Sequence, residues 1–218
     1  MSLKYKHIYF DLDGTIIDSS EGVLKSVIVA LKRYDLDNYS DELIKKTIIG
    51  PPLYEGLKNL TKIEDDEILK SLVIAFREEY SKQGVFQNTL FPNIIEMLDV
   101  LKELGCHIEV LTSKPQKFAK LILKQHSIEK YFSKVDGAGE HDKSSSKAAK
   151  LSAATIKIRE NSIMIGDRVE DLSAAKEAKV DSIAVSYGFD DTSLLQQHSP
   201  TYCVDNVMDI AKIISESR

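Results

Sequence analysis

Apolar residues run through this chain in two rhythms. Short, nearly unbroken apolar runs at Ile8–Phe10, His107–Leu111, Ser162–Ile165, Ser182–Val185 and Thr201–Val204 predict buried strands, with a weaker one at Tyr131–Val135. Between them, apolar positions recur every three or four residues. That spacing predicts helices from Pro92, at a first turn, to Leu104, and from Pro115 onward with Phe118, Leu121, Ile122 and Leu123. Further helices are predicted over Lys147–Ile156, Glu170–Ala178 and Asn206–Ser215. Core strands with little polar alternation, separated by helices, imply a parallel sheet covered on both faces.

Residues 18 to 84 interrupt the alternation, because they carry the helical rhythm alone. Val23, Val27, Ala30, Leu31 and Tyr34 mark one stripe; Leu43, Ile44 and Ile48 follow the helix-start signal Ser40-Asp41-Glu42. Gly50-Pro51-Pro52 stops that helix, and further helices are read over Leu53–Leu60 and Asp65–Lys82, the latter with Ile68, Leu72, Ala75, Phe76 and Tyr80 on one face. A helical block directly after the first strand is an insertion. The expected organisation is an α/β core from 1–17 and 85–218 with a helical cap over 18–84.

The candidate chemistry lies where the strands end. Ile8-Tyr9-Phe10 runs into Asp11 and Asp13, and Gly14 allows a tight turn. Two acids at the end of a core strand are costly unless a cation or several amides share the site. Thr112 and Ser113 follow the next strong strand, and Asp167 and Asp171 follow Ser162–Ile165. In a parallel sheet these ends share one edge, where open α/β sheets bind ligands. Clustered carboxylates suit Mg²⁺, a hard ion that shares oxygen ligands with phosphates. Asp11 then serves as nucleophile, giving an aspartyl-phosphate, and Asp13 as the proton carrier for leaving group and water. Thr112 supplies a hydroxyl donor, Lys143 or Lys147 balances the phosphoryl charge, and Asp167 and Asp171 hold the metal.

Composition narrows the partners. The 218 residues are 43% apolar and 29% charged, with a formal net charge of -5, so no bulk positive field draws nucleic acid or anionic lipid. No run approaches the length of a membrane span and no secretory signal is evident, so a cytoplasmic location is expected. Cys106 and Cys203 lack metal-ligand spacing and are read as buried, reduced thiols in core strands. The expected partner is a small phosphorylated metabolite, and the chain is expected to be a monomer or weak homodimer.

Phe10-Asp11-Leu12-Asp13-Gly14-Thr15, Leu111-Thr112-Ser113 and Gly166-Asp167-Arg168-Val169-Glu170-Asp171 together resemble the haloacid dehalogenase superfamily, in its motif order and over nearly the whole chain. The insertion after the first motif resembles the subfamily with a small helical cap, and the chain is most similar to phosphoglycolate-phosphatase-like enzymes. The resemblance implies a Rossmann-like, doubly wound core. It implies that Asp11 is nucleophile and metal ligand, and that Asp13 is general acid/base with a metal-ligating backbone carbonyl. Thr112, with the Ser113 amide, binds the phosphoryl group; Asp167 ligates Mg²⁺ directly, and Asp171 ligates or supports it. Acids at both 11 and 13 fit a phosphatase. The family's lysine usually precedes a helix start that often contains proline, which this chain lacks. Lys143, just ahead of Ser144-Ser145-Ser146, matches the family's placement best, with Lys147 as its rival.

Blander readings exist for each part. A calcium loop beginning at Asp11 is excluded by its glycine at the fourth position and Gly22 at the twelfth. Asp167 and Asp171 also suit a helix N-terminus, Thr112-Ser113 suits a cap, and Arg168 suits a pair with a nearby acid. Three readings remain: a Mg²⁺-dependent phosphatase of small monoesters; on the same scaffold, a β-phosphoglucomutase-like phosphomutase or a 5'-nucleotidase or pyrophosphatase; and a non-catalytic module that keeps the fold.

Overall fold

A computed structural model describes residues 3–49, 51–139 and 146–217. The chain forms two compact units, Met1–Asp18 with Leu90–Arg218, and Ser19–Thr89.

The first unit is built on a six-stranded sheet. Its strands are β1 (His7–Phe10), β4 (His107–Pro115), β5 (Lys134–Ala138), β6 (Ser162–Gly166), β7 (Asp181–Val185) and β8 (Tyr202–Val204), ordered β5-β4-β1-β6-β7-β8 with every neighbouring pair parallel. Two short strands, β2 (Ile17–Asp18) and β3 (Thr89–Leu90), pair separately where the chain leaves and re-enters this unit. The crossover helices are α5 (Ile94–Glu103), α6 (Gln116–Gln125), α7 (Lys147–Thr155), α8 (Val169–Ala178) and α9 (Thr192–Gln197), and α10 (Val207–Glu216) follows the last strand. From β1 the chain runs outward through β4 to β5, then returns past β1 to β6 and continues to β8. The order therefore reverses around β1, and the carboxyl ends of β4, β1 and β6 lie where sheets of this kind bind ligands.

One face of the sheet is closed by α7 and α8. Tyr9, Leu111 and Met164 from the strands pack with Ala148, Leu151, Ala174, Ala175 and Ala178 from these helices. The alanines let α7 and α8 pack closely against each other and the sheet. That packing later sets where Lys147 lies.

The second unit contains α1 (Ser20–Lys32), α2 (Asp41–Ile48), α3 (Leu53–Thr61) and α4 (Asp66–Lys82), followed by a 3₁₀ turn at Gly84–Phe86. It has its own core, including Leu24, Val27, Leu31, Ile44, Ile48, Leu57, Leu69 and Leu72. Ser40 and Asp65 cap α2 and α4 by accepting backbone N–H bonds from Leu43 and from Glu67 and Ile68.

Several local expectations shift. On α4 the buried stripe uses Leu69, not Ile68, which is 40% exposed. Pro92 precedes the helix, since α5 starts after Asn93 in the left-handed region at φ 66°. Tyr131 sits in a 3₁₀ turn at Glu129–Tyr131, and the strand begins only at Lys134. β4 continues through Thr112-Ser113-Lys114 to Pro115, with an irregular step in its pairing to β5. The short helix α9 carries little periodic signal because only Leu195 in it is buried. Cys203 is exposed and Cys106 half-buried, so neither is a core thiol. Gly50 and the loop holding His141 and Lys143 lie outside the described residues.

Candidate active site

Asp11 stands one residue past β1, and its N–H donates to the Ile165 carbonyl at 2.9 Å, continuing the ladder to β6. The chain then turns tightly. The Leu12 carbonyl accepts from Ile16 at 2.9 Å and Ile17 at 3.0 Å, while the Gly14 N–H donates to Ile17 at 2.8 Å. Gly14 has φ +81°, and a Cβ there would stand 2.0 Å from Asp167 Oδ2. Glycine is required at this point both for the turn and for the approach of the acid.

Asp167 follows β6, and Asp171 lies in the first turn of α8; both are fully buried. Gly166 clears space for Asp171, since a Cβ there would meet its Oδ2 at 2.2 Å. The Asp171 carboxylate accepts the Arg168 N–H at 3.2 Å, so it caps its helix as well as facing the site. Among the described residues, one oxygen from each of Asp11, Asp167 and Asp171 lies within 4.8 Å of the others.

One ammonium meets two of these three acids. Lys147, in the first turn of α7, places Nζ 2.9 Å from Asp11 Oδ1 and 2.5 Å from Asp171 Oδ1. Ser146 caps α7 by accepting the Ala149 N–H at 3.1 Å, which fixes where the helix starts. Lys147 was the rival lysine of the sequence; the structure brings it to Asp11, while Lys143 falls outside the described residues.

The electrostatics are strained toward neutralisation. Burial, helped by the Asp11 and Asp171 charges, pushes the Asp167 carboxyl well above its ordinary range. Burial also lifts Asp171, to about 7, against the pull of Lys147. Burial alone would lower Lys147, but the Asp11 and Asp171 charges outweigh it and keep the ammonium protonated. Asp11 Oδ1 is buried, and its partner among the described residues is the Lys147 ammonium. Three buried carboxylates with one lysine between two of them leave negative charge over and fit a hard divalent cation.

Asp13 points elsewhere. Both its oxygens face Lys114 Nζ, at 2.7 and 2.9 Å, and its carboxylate is not part of the three-acid group. Thr112 is buried, and its hydroxyl oxygen accepts the Lys114 N–H at 3.1 Å, leaving the hydroxyl proton free to donate. Ser113 is exposed. Arg168 pairs with Glu170 at 3.1 Å.

Sequence reasoning missed two contributors. Lys114 follows Thr112-Ser113 directly and could have been found as a cation in the same strand-end motif. The segment Ser186–Asp190 after β7 matches no motif spacing, yet its Phe189 N–H donates to Asp167 Oδ2 at 2.9 Å and its Asp190, an acid past a strand end, accepts the Val169 N–H at 3.0 Å.

The sequence profile of haloacid dehalogenase-like hydrolases matches residues 8–185. The chain belongs to this family. It is 34% identical to a 5'-nucleotidase of Pseudomonas aeruginosa over 94% of this chain and 93% of that one. It is 32% identical to the tyrosine-protein kinase PtkA of Mycobacterium tuberculosis over 89% of this chain and 66% of that protein. A candidate phosphatase of Clostridium difficile superposes with a TM-score of 0.88 at 34% identity, covering 97% of this chain and 99% of that one. Proteins named pyrophosphatase and phosphoglycolate phosphatase are also similar to it. The chain is a phosphatase-type enzyme of this family, with a Rossmann-like core. No helix among the described residues is long and apolar enough to cross a membrane.

Proposed function

We propose that the protein hydrolyses small phosphate monoesters, with Mg²⁺ as cofactor and Asp11 as the phosphoryl acceptor. The observation that carries this reading is the convergence of Asp11, Asp167, Asp171 and Lys147 at the carboxyl ends of β1 and β6. A carboxylate nucleophile needs cations beside it to approach a phosphoryl dianion; Lys147 supplies one, and a divalent cation held by the three acids would supply the rest.

Asp11, Asp167 and Asp171 would hold the cation, which when bound offsets the charge shared by the carboxylates and the phosphoryl oxygens. A carboxylate oxygen of Asp11 attacks phosphorus, the Asp–O–P bond forms, and the ester P–O bond breaks. The leaving oxygen takes a proton from Asp13. Water then attacks the aspartyl-phosphate, gives its proton to Asp13, and releases phosphate and Asp11. Lys147 stabilises the charge on the transferring group, and Thr112 donates its hydroxyl proton to a phosphoryl oxygen. Asp13, held by Lys114, stays close to the nucleophile without joining the metal-binding acids.

The relatives support a phosphate monoester such as phosphoglycolate or a nucleoside 5'-monophosphate as substrate. The test is phosphate release from an aryl phosphate and from a panel of monoesters. Release is expected to require Mg²⁺ and to vanish in Asp11→Asn. Turnover that survives this substitution ends the proposal, and interconversion of hexose phosphates faster than phosphate release would redirect it to a mutase.

A further inference from the structure

We propose that Tyr187 is a positioning residue for the Asp167 carboxylate, acting through Thr15, and that it thereby sets affinity for the divalent cation. This rests on the reading of Asp167 as a metal ligand.

Asp167 is buried, and each of its oxygens meets a donor. The Thr15 hydroxyl donates to Oδ1 at 2.9 Å, and the Phe189 N–H donates to Oδ2 at 2.9 Å. Thr15 is itself fully buried, so its single hydroxyl proton is committed to the acid. The peptide carbonyl of the same Thr15 accepts the Tyr187 hydroxyl at 3.0 Å. Tyr187 and Phe189 belong to one segment, so that segment holds Asp167 from two sides: directly through an amide, and at one remove through a threonine.

The segment is fixed. Gly188 sits between the two donors, and a Cβ there would stand 2.2 Å from Asp167 Cβ and 2.5 Å from the Gly14 carbonyl. The Tyr187 ring packs on Phe91 at 4.8 Å between centroids, and the Phe91 N–H donates to the Ile16 carbonyl at 3.1 Å. Asp190 ties the other end to the first turn of α8, which bears Asp171. Thr15 is therefore held from behind by a phenol that is itself packed on Phe91. A carboxylate held in one orientation loses less freedom on binding a cation, and partners behind the ligands of a metal shape affinity nearly as much as the ligands do.

The test is calorimetric titration of Mg²⁺ into the full chain, with metal-free melting temperature recorded beside it. Tyr187→Phe keeps the ring on Phe91 and removes only the hydroxyl; it should weaken binding about three- to tenfold. Thr15→Val should weaken it by about ten- to a hundredfold, and Thr15→Ser, which restores the hydroxyl, should return most of the affinity. A purely structural tyrosine would lower the metal-free melting temperature and leave the dissociation constant alone, and that result overturns the proposal. Asp167→Asn separates the two levels. If wild type binds Mg²⁺, Asp167→Asn loses it and Tyr187→Phe matches wild type, the tyrosine has no such role but the metal site stands. If wild type binds no divalent cation, the site assignment and this inference both fall.

Discussion

Both carboxylate oxygens of Asp13 face one ammonium, and that ammonium is mostly withdrawn from water: the Lys114 side chain is 7% exposed and the Asp13 side chain 24%. A charge pair in such a place holds geometry more than it adds stability. Asp13 has to meet a leaving oxygen, and misplacement by about 1 Å costs on the order of a hundredfold in rate. Lys114→Met is therefore expected to lower kcat by about ten- to a hundredfold on an alkyl phosphate, whose leaving group needs a proton. The loss should be smaller on an aryl phosphate, which departs without one. Steady-state kinetics on the two ester types decide it; equal losses would show that Lys114 acts on folding or binding and not on Asp13.

Among elements, the junction of β1 with β4 carries its own titration. His7 pairs with His107 in register at the start of the two strands, and the imidazoles stack at 5.1 Å, 11° apart. Burial first, then the His107 and Lys6 charges, lowers the His7 pKa from its ordinary 6.5. Below pH 6.5 the unfolded chain therefore binds a proton at this position that the folded chain resists. Stability is full above 6.5 and is lost as pH falls through the lowered value. Asp171, lifted to about 7, gains stability over the same range, so the readout is a difference: between pH 7 and pH 5.5 the melting temperature of His107→Gln, which lacks one repelling charge, should rise relative to wild type. A pH profile identical in both proteins would place the titration elsewhere. The same element scale shows how the fold was legible. β1, β6 and β7 stood out because parallel central strands are apolar on both faces, whereas β5, half-exposed at Val135 and Asp136, was misplaced by three residues.

On the scale of the whole molecule, the site works against the fold that holds it. Three buried acids with one lysine repel each other in the metal-free protein. A cation that binds only the native state adds about 2.7 kcal/mol at a hundred times its dissociation constant. For a chain of this size that corresponds to a rise of roughly 5–10 °C in melting temperature. Mg²⁺ is expected to produce such a rise, EDTA to reverse it, and Asp167→Asn to abolish it, as read by scanning calorimetry. A melting temperature indifferent to Mg²⁺ in the wild type would refute a native-state cation site.

The sequence alone determined the acids and the frame. An apolar run ending in Asp11-Leu12-Asp13-Gly14 can be buried only as a strand with its charges at the rim, and the alternation of later strands and helices puts Thr112 and Asp167 on the same rim. The tertiary structure decided which groups answer those acids. Lys147 reaches Asp11 because small residues let α7 pack tightly beside α8, and Tyr187 reaches Thr15 because β7 ends beside β6. Loop polar residues have no period to betray them; their partners are chosen by strand order and helix packing, which are set by burial throughout the core.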